Sequence, residues 1–277
     1  MLSKQLIKKK VYEALDEDLR YGDVTTELVV SPLARGTGSI YAREAGVIAG
    51  LPLAEQVFHT LDESLDCNRL VDEGEHVDAG RAVMRISGPL RSLLSGERTA
   101  LNFLQRLSGI ATLTADWVKA LEGFPARLTD TRKTSPGQRV LEKYAVAVGG
   151  GVNHRFSLDS GILIKDNHIF AAGGIAAAIK LVRDAGPFVW RIEVEVTDLK
   201  ELREALEAGA EIIMLDNMDL PLIREAVRIT AGRALLEASG NITLERLREV
   251  AAAGVDYISS GALTHSYRSL NLSLLLE

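Results

Sequence analysis

Apolar residues follow two different patterns along the chain, and the pattern changes near residue 126. Residues 36–50 and 70–88 alternate apolar positions with glycines and charges, and turn sequences such as "DEG" and "DAG" interrupt them. Such alternation predicts short antiparallel strands joined by tight turns. Residues 1–20 and "LPLAEQVFHTL" (51–61) have helical spacing instead. The first part of the chain is therefore predicted to form a turn-rich antiparallel sheet with helices.

The segment 90–121 is the longest helical stretch. Its apolar residues are not confined to one stripe: they are Leu93, Leu94, Ala100, Leu101, Phe103, Leu104, Leu107 and Ile110. A helix that is apolar on most sides is usually buried. We expect this helix to lie between domains or in a subunit interface.

From residue 126 onward, strand-like apolar runs alternate with amphipathic helical segments. The strand-like runs are "ARLTDT" (126–131), "GILIK" (161–165), "RIEVEV" (191–196), "EIIMLD" (211–216), "ALLEASG" (234–240) and "DYISSG" (256–261). Repeated βα units with apolar strands favour a parallel sheet closed into a barrel. An open doubly wound sheet is the alternative, but no Gly-x-Gly-x-x-Gly follows a first strand to support it.

Composition and charge limit the kind of protein. The chain has 277 residues, 32 basic against 38 acidic, and a formal net charge of −6. This length favours one large domain or two unequal ones, and the acidic balance disfavours a nucleic-acid-binding protein. Cys67 is the single cysteine, so no internal disulfide can form and a reduced, cytoplasmic setting is expected. The amino terminus lacks the apolar core of a secretory signal, and no apolar run approaches the ~18–20 residues that span a membrane.

Functional residues of a βα barrel gather at the carboxyl ends of its strands. Here those ends carry charged residues and Ser-Gly pairs: Thr131, Arg132, Lys133, Lys165, Glu195, Asp216, Ser239, Gly240, Ser260 and Gly261. Glu193 and Glu195 point to the same face of their strand, because side chains alternate. Acidic residues inside a strand are unfavourable unless they serve a site.

These side chains fall into two chemical sets. Arginine and lysine donate to anions, and the cations here are Arg132, Lys133, His154, Arg155 and Lys165. Glu195 and Asp216 supply oxygens suited to Mg²⁺ or a ribose hydroxyl, and the Ser-Gly turns offer backbone N–H groups to a phosphate. An anionic substrate, a metal-bound phosphate and a sugar phosphate all fit this rim.

Each feature also has a plain structural interpretation. A loop such as "TRK" is usually solvated, and "GGG" (149–151) lacks the Lys-Ser/Thr of a P-loop. His154 and His168 have no cysteine partner, which disfavours zinc. The functional interpretation rests on the joint placement of complementary charges at six strand ends.

The motifs resemble the quinolinate phosphoribosyltransferase family, whose members are nicotinate-nucleotide pyrophosphorylases (carboxylating). The matching stretches, in chain order, are "YGDVTTELV", "ERTALNFLQRLSGIAT", "DTRKTSPG", "EKYAVAVGGGVNHRF", "LIKDNHI", "IEVEV", "IIMLDNM", "LEASGNIT" and "YISSGALTHS". They span essentially the whole chain.

The resemblance implies a type II phosphoribosyltransferase-like architecture. An α/β sandwich (1–112) precedes an incomplete α/β barrel of about seven strands (113–265), and the tail 266–277 packs back on the first domain. It also implies a homodimer, in some members a hexamer, in which Arg98 completes the neighbouring subunit's site.

The implied reaction joins quinolinate to phosphoribosyl pyrophosphate (PRPP) with Mg²⁺, and it gives nicotinate mononucleotide, pyrophosphate and CO2 for NAD biosynthesis. Arg98, Arg132, His154, Arg155 and Lys165 are expected to hold the substrate carboxylates, with Thr131 beside them. Lys133 would lie between the two substrates. Glu195 and Asp216 would hold the ribose hydroxyls and the metal-bound pyrophosphate. Ser239, Gly240, Ser260 and Gly261 would bind the 5-phosphate. The catalytic set is Lys133, Lys165, Glu195 and Asp216.

Three positions depart from the family pattern. Asn241 stands where a second glycine is usual, Ser160 takes a usually acidic position beside Asp159, and Asn271 replaces an aspartate. The alternatives are a molybdenum-transport-associated paralogue, a nicotinate phosphoribosyltransferase, a non-catalytic sugar-phosphate-binding barrel and a Schiff-base aldolase centred on Lys165.

Overall fold

The computed structural model describes residues 2–277, and the chain divides into two compact units. The first unit takes in the residues up to Ala115 together with Val140–Gly150 and Tyr267–Glu277. The second unit consists of Asp116–Arg139 and Gly151–Ser266.

The elements follow in chain order. They begin with α1 (Lys4–Asp18), α2 (Val24–Val29), β1 (Arg35–Ala42), β2 (Gly46–Val47), α3 (Leu51–Leu61), β3 (Asp66–Arg69), β4 (His76–Val77), β5 (Ala82–Pro89) and α4 (Leu90–Ala120). They continue with β6 (Arg127–Thr129), α5 (Arg139–Val148), β7 (Ile162–Ile164), α6 (Asp166–Ala172), α7 (Ile175–Ala185), β8 (Ile192–Val196), α8 (Leu199–Glu207), β9 (Ile212–Asp216), α9 (Leu220–Thr230), β10 (Leu235–Ser239), α10 (Leu244–Ala252), β11 (Tyr257–Ser259), α11 (Ala262–His265) and β12 (Leu272–Leu276).

The first unit contains a four-stranded antiparallel sheet in the order β12-β1-β5-β3. This confirms the antiparallel sheet predicted from the alternating residues. The tail supplies an edge strand, because β12 pairs with β1 from Gly38↔Leu276 to Ala42↔Leu272. No pattern in the tail sequence predicted that strand.

Helix α4 confirms the predicted long helix, and most of its apolar positions are buried. Leu93, Ala100, Leu101, Leu104, Leu107 and Ile110 are at most 2% exposed, whereas Leu94 and Phe103 are half-buried. Gly109 lets the tail approach this helix closely, since a Cβ there would lie 2.9 Å from the Cα of Ser269. No helix within residues 2–277 is long and apolar enough to cross a membrane.

The second unit is built on a six-stranded parallel sheet in the order β6-β11-β10-β9-β8-β7. These are the six strands that the sequence predicted. The resemblance implied about seven strands, but residues 2–277 hold no seventh strand in this sheet. A single parallel bridge from Val152 to Thr129 lies beside β6 instead. Side-chain caps help three helices of the βα repeats to start where expected, namely α8, α9 and α10: the Asp219 carboxylate, for example, accepts from the Leu222 N–H at 2.9 Å.

Candidate active site

The carboxyl ends of the parallel strands surround a cavity of 310 Å³, here called the upper cavity. Nine of the predicted site residues line it: Thr131, Arg132, Lys133, His154, Arg155, Lys165, Glu195, Asp216 and Ser239. Four further residues line it that were not in the predicted set: Leu163, Met214, Glu237 and Ser259. The sheet therefore brings the predicted cations and the predicted acids into one cavity.

Arg132 and Arg155 form the cationic side of the upper cavity. Burial and the charge of Arg132 both lower the pKa of Arg155, so the two guanidinium groups lie close enough to repel each other. The Nε of Arg132 is buried and has no hydrogen-bond partner anywhere in residues 2–277. A buried cationic donor without an acceptor is unfavourable in the free protein and is satisfied when an anion binds. The pair is therefore a built site for an anion.

Asp130 fixes the loop that carries His154 and Arg155. Its side chain is fully buried and accepts from Asn153 Nδ2 at 2.7 Å and from the His154 N–H at 2.9 Å. Arg155 in turn donates through Nη1 to the Gly161 carbonyl at 3.1 Å. The loop after "GGG" is thus tied to the end of β6 and to the start of β7, so its side chains are held in place before any substrate arrives.

Arg139 is a site-supporting residue that the sequence analysis missed. It donates through Nε to Thr134 Oγ1 at 2.9 Å, through Nη1 to the Phe156 carbonyl at 3.2 Å and through Nη2 to the Arg132 carbonyl at 3.4 Å. One guanidinium group therefore joins the loop of Arg132 to the loop of Arg155. A lone arginine at the start of a helix gives no sequence signal for this role.

Lys165 and Glu195 form an ion pair across the neighbouring strands β7 and β8. A Schiff-base lysine needs a neutral amine in an apolar pocket, and an ammonium paired with a carboxylate does not supply one. The pair therefore disfavours the aldolase alternative. The backbone N–H of Lys165 donates to His168 Nδ1 at 3.0 Å, so His168 caps the first turn of α6 and is exposed outside the cavity.

Below these residues, His154, Glu193 and Glu237 form a buried cluster. His154 Nε2 lies 3.2 Å from Glu193 Oε2 and 3.5 Å from Glu237 Oε2. Burial and the charge of Glu193 raise the pKa of Glu237 to about 7, while His154 and Lys165 oppose that rise. Glu237 is therefore about half protonated at neutral pH, unlike an ordinary carboxyl group.

The donor atoms of this cluster lie within 4.8 Å of one another, as they would around a metal ion. The hydrogen bonds favour a different interpretation. His154 Nδ1 accepts from the Arg155 N–H at 2.7 Å, so the neutral ring carries its proton on Nε2, the atom that faces both carboxylates. A metal ion needs a lone pair on that atom. The cluster is therefore a hydrogen-bonded acid and imidazole group.

A second cavity of 560 Å³, here called the lower cavity, lies at the amino ends of the strands. Its lining includes Arg127, Ile162, Ile212, Leu235 and Tyr257, which begin or nearly begin their strands. Three residues line both cavities, and these are His154, Arg155 and Glu237. Glu193 lines the lower cavity but not the upper one. The buried cluster therefore forms the layer between the two cavities.

The predicted phosphate turns differ in how free their backbone donors are. The Ser260 N–H donates to the Thr129 carbonyl at 3.0 Å, so this backbone donor is engaged within the sheet, and the phosphate role of Ser260 stays a prediction. Gly261 leaves room for the side chain of Lys133, whose Cδ would lie 2.9 Å from an added Cβ. Ser239 ends β10, and Gly240 follows with φ of 92°.

Asn241, one of the departures, takes a left-handed conformation with φ of 50°, which asparagine adopts more readily than most residues. Its Nδ2 donates to Asn217 Oδ1 at 3.1 Å. The asparagine thus keeps the turn that a glycine would allow and joins it to the end of β9. Ser160 accepts from the Ser157 N–H at 2.8 Å within a turn, and the Asn271 N–H donates to Glu44 at 2.7 Å. The Ser160 hydroxyl therefore serves its own turn, whereas the Asn271 contact uses the backbone N–H, and nothing in the structure explains the asparagine at that position.

Replacing Gly240 with alanine is expected to damage the turn between β10 and α10. An added Cβ would lie 2.6 Å from the Asn217 Cγ, and the positive φ is strained for alanine. Under the phosphate role that the family resemblance implies for this turn, we expect KM for PRPP to rise at least about tenfold, with about 1–3 kcal/mol lost from the free energy of unfolding. Gly209→Ala is the matched control, because Gly209 also has a positive φ (81°) but has open space around it. Equal effects of both substitutions on KM for PRPP would contradict a phosphate role for the Gly240 turn.

Arg98 lies on α4 in the first unit, so it is not among the residues that line the upper cavity. Its side chain is exposed, and within residues 2–277 it makes no hydrogen bond and no ion pair.

The comparisons with known proteins agree over nearly the whole chain. Residues 23–108 match the quinolinate phosphoribosyl transferase N-terminal domain, and residues 110–275 match the C-terminal domain of the same family. The chain is 46% identical to a probable nicotinate-nucleotide pyrophosphorylase (carboxylating) of Synechocystis, over 94% of this chain and 89% of that protein. It is 45% identical to the Mycobacterium leprae nicotinate-nucleotide pyrophosphorylase (carboxylating), over 95% of each.

A solved structure gives the same result. The crystal structure of NadC from Streptococcus pyogenes is 44% identical and superposes with a TM-score of 0.97, covering 100% of this chain and 98% of that one. Both domains, in order and at these identities, show that the chain belongs to the quinolinate phosphoribosyltransferase family.

Proposed function

We propose that the upper cavity transfers the phosphoribosyl group of PRPP to quinolinate, with loss of the C2 carboxylate as CO2. The products are nicotinate mononucleotide, pyrophosphate and CO2, and the reaction serves NAD biosynthesis. The observation that carries this assignment is the repelling pair Arg132 and Arg155 with the buried, unpartnered Nε of Arg132. Two adjacent carboxylates on one pyridine ring match two adjacent guanidinium groups.

The residues divide the two substrates between them. Arg132, Arg155, His154 and Lys165 bind the carboxylates of quinolinate, with Thr131 beside them. Glu195 and Asp216 accept hydrogen bonds from the ribose hydroxyls, and the turn at Ser239 and Gly240, with Gly261, binds the 5-phosphate. Lys133 lies between the ring and the phosphoribosyl group.

Mg²⁺ is the cofactor that this reaction implies, and the donor set fits it. Glu195 and Asp216 are half-buried carboxylates at the same rim, and oxygen ligands are what Mg²⁺ prefers. Glu195 is already paired with Lys165, and Asp216 accepts from Asn217 Nδ2 at 2.8 Å, so they would hold the ion indirectly, through PRPP. When bound, the ion would neutralise the pyrophosphate that leaves.

The protein needs no nucleophile for this chemistry. Its charged side chains hold the pyridine nitrogen in line with the anomeric carbon, and the carboxylates of Glu195 and Asp216 face the positive charge that develops there. The prearranged hydrogen bonds of Asp130 and Arg139 keep the loops of Arg132, His154 and Arg155 in position. The quaternised ring nitrogen then withdraws electrons, and this assists the loss of CO2 from C2.

We also propose a homodimer as the working unit, with Arg98 of one subunit completing the cavity of the other. The support is that Arg98 is an exposed arginine with no partner in its own chain, whereas its family motif is intact. Assembly to a hexamer is compatible with this arrangement. A cytoplasmic location is in keeping with a single, unpaired cysteine.

The deciding experiment is an assay of CO2 release that depends on both quinolinate and PRPP, with nicotinate as the comparison substrate. We expect product from quinolinate and at most a trace from nicotinate, because a monocarboxylate leaves one cation unpaired. Preference for nicotinate would assign the nicotinate phosphoribosyltransferase alternative. PRPP binding without turnover of any pyridine carboxylate would assign the paralogue or the non-catalytic barrel.

A further inference from the structure

Loss of CO2 leaves an electron pair on C2 of the pyridine ring, and a proton must replace the carboxylate. Two cations of the upper cavity are committed to protein contacts, since Lys165 is paired with Glu195 and Arg155 donates to the Gly161 carbonyl. The proposed function gives the other two, Arg132 and Lys133, to the anionic groups of the substrates. The reaction therefore needs an acid that is close to the ring and that still carries a proton at neutral pH. This inference rests on the function proposed above.

We propose that Glu237 is that acid, and that the lower cavity supplies the proton that restores it. Glu237 lies at the middle of β10, 4% exposed, and it lines both cavities. Its Oε2 lies 3.5 Å from His154 Nε2, whereas its Oε1 is buried with no hydrogen-bond partner among the residues described. In the neutral acid, a proton on Oε1 has no acceptor within the protein, so it is available to a substrate atom.

The charges around Glu237 explain why it keeps its proton. Burial favours the neutral acid and Glu193 on β8 repels a negative charge on Glu237, whereas the Nε2–H of His154, the Ser259 hydroxyl and the Lys165 ammonium each favour the charged form. His154 is a poorer donor, because its Nδ1 accepts from the Arg155 N–H and loss of the Nε2 proton would leave an imidazolate. The proton available for transfer to substrate is therefore the one on the Glu237 carboxyl group, while His154 keeps its single Nε2 proton.

The proposed step balances. The bond from C2 to its carboxylate breaks, the electron pair stays on C2, and the carboxylate leaves as CO2. That pair takes the Glu237 proton, which forms the C2–H bond and leaves a glutamate anion. A proton from water in the lower cavity restores the acid, so the upper cavity stays closed to solvent while product is present. The step requires C2 to face the floor of the upper cavity.

The test compares Glu237→Gln with Glu193→Gln. Both residues are buried and contact His154 Nε2, but Glu193 lines only the lower cavity. We expect Glu237→Gln to lower kcat by about a hundredfold, the scale of general acid catalysis, with KM for quinolinate little changed. The basic limb of the kcat–pH profile should disappear, since that limb reports loss of the Glu237 proton. In equal H2O and D2O, the ratio of H to D at C2 of the product should change, because another donor takes over.

Glu193→Gln should instead move the basic limb to lower pH. Removing the Glu193 charge lowers the pKa of Glu237, so the acid loses its proton sooner as pH rises. An unmoved limb in Glu193→Gln would overturn the proposal even if Glu237→Gln fails to fold. So would a Glu237→Gln protein with the wild-type basic limb and the wild-type H to D ratio. Product formation by the wild-type protein tests the proposed function separately, since none of these readouts is measurable without it.

Discussion

Replacing Arg155 with alanine is expected to lower kcat/KM for quinolinate by about a hundredfold or more, equivalent to about 3 kcal/mol. The side chain is half-buried, is repelled by Arg132 and donates to the Gly161 carbonyl, so it is held where an anion compensates its charge. Its loss removes a charge-assisted hydrogen bond to a carboxylate in a site of low dielectric. Steady-state kinetics with varied quinolinate at saturating PRPP measures the effect.

The fold should survive this substitution. The Arg155 side chain makes one hydrogen bond, from Nη1 to the Gly161 carbonyl, whereas Asp130 keeps two contacts to the same loop. We therefore expect thermal unfolding close to that of the wild-type protein. Arg155→Lys should recover part of the activity, because a lysine restores the charge without the two parallel donors of a guanidinium.

Arg228→Ala is the matched control. Arg228 is 74% exposed and pairs with Glu225 on the surface of α9, away from both cavities. Removing it should leave kcat/KM at the wild-type value. A fully active Arg155→Ala protein would remove Arg155 from the substrate site and, with it, the main physical argument for a dicarboxylate substrate.

The sequence predicted the six parallel strands because several βα repeats carry local start signals, clearest at α8, α9 and α10, where a side chain caps the helix. Asp198 is one example: its carboxylate accepts from the N–H groups of Lys200 and Glu201 at 2.8 Å at the first turn of α8. Such local signals act within a few residues, so they are visible in the chain. Most of the residues at the rim were predictable once the strands were, because parallel strands place their carboxyl ends together.

Contacts between distant segments were not predictable. Arg139 joins two loops only once helix α5 has placed it between them. The engaged Ser260 N–H depends on the pairing of β11 with β6, which no local pattern specifies. Asp130, similarly, is a buried anchor whose partners lie 23 and 24 residues further along the chain.

Glu237 is different, because a signal for it was present. In "LLEAS" it alternates with Ser239, so the two residues share a face of β10, and Ser239 was predicted at the rim. An acid on the inward face of an apolar strand indicates a site for the same reason that Glu193 and Glu195 did. Attention to strand ends alone misses it, since Glu237 lies in the middle of its strand.

Mixing Arg98→Ala protein with Lys165→Ala protein is expected to restore activity that neither has alone. In a heterodimer, the cavity of the Arg98→Ala subunit keeps its own Lys165 and receives the intact Arg98 of its partner. Random exchange puts about half of the chains in heterodimers with one intact site of two, so about a quarter of the wild-type activity should return in the mixture and about half in isolated heterodimers. Heterodimers are isolated through two different affinity tags, and CO2 release is measured on them.

The informative control is a mixture of Arg155→Ala with Lys165→Ala. Both residues line the same upper cavity of one chain, so every site in that heterodimer lacks one of them and no activity should return. Recovery in the Arg98→Ala mixture, with none in the Arg155→Ala control, would place Arg98 in the cavity of the neighbouring subunit. Verified heterodimers without recovery in either mixture would mean that Arg98 acts within its own chain or outside the site, and the exposed, unpartnered arginine on α4 would then need another explanation.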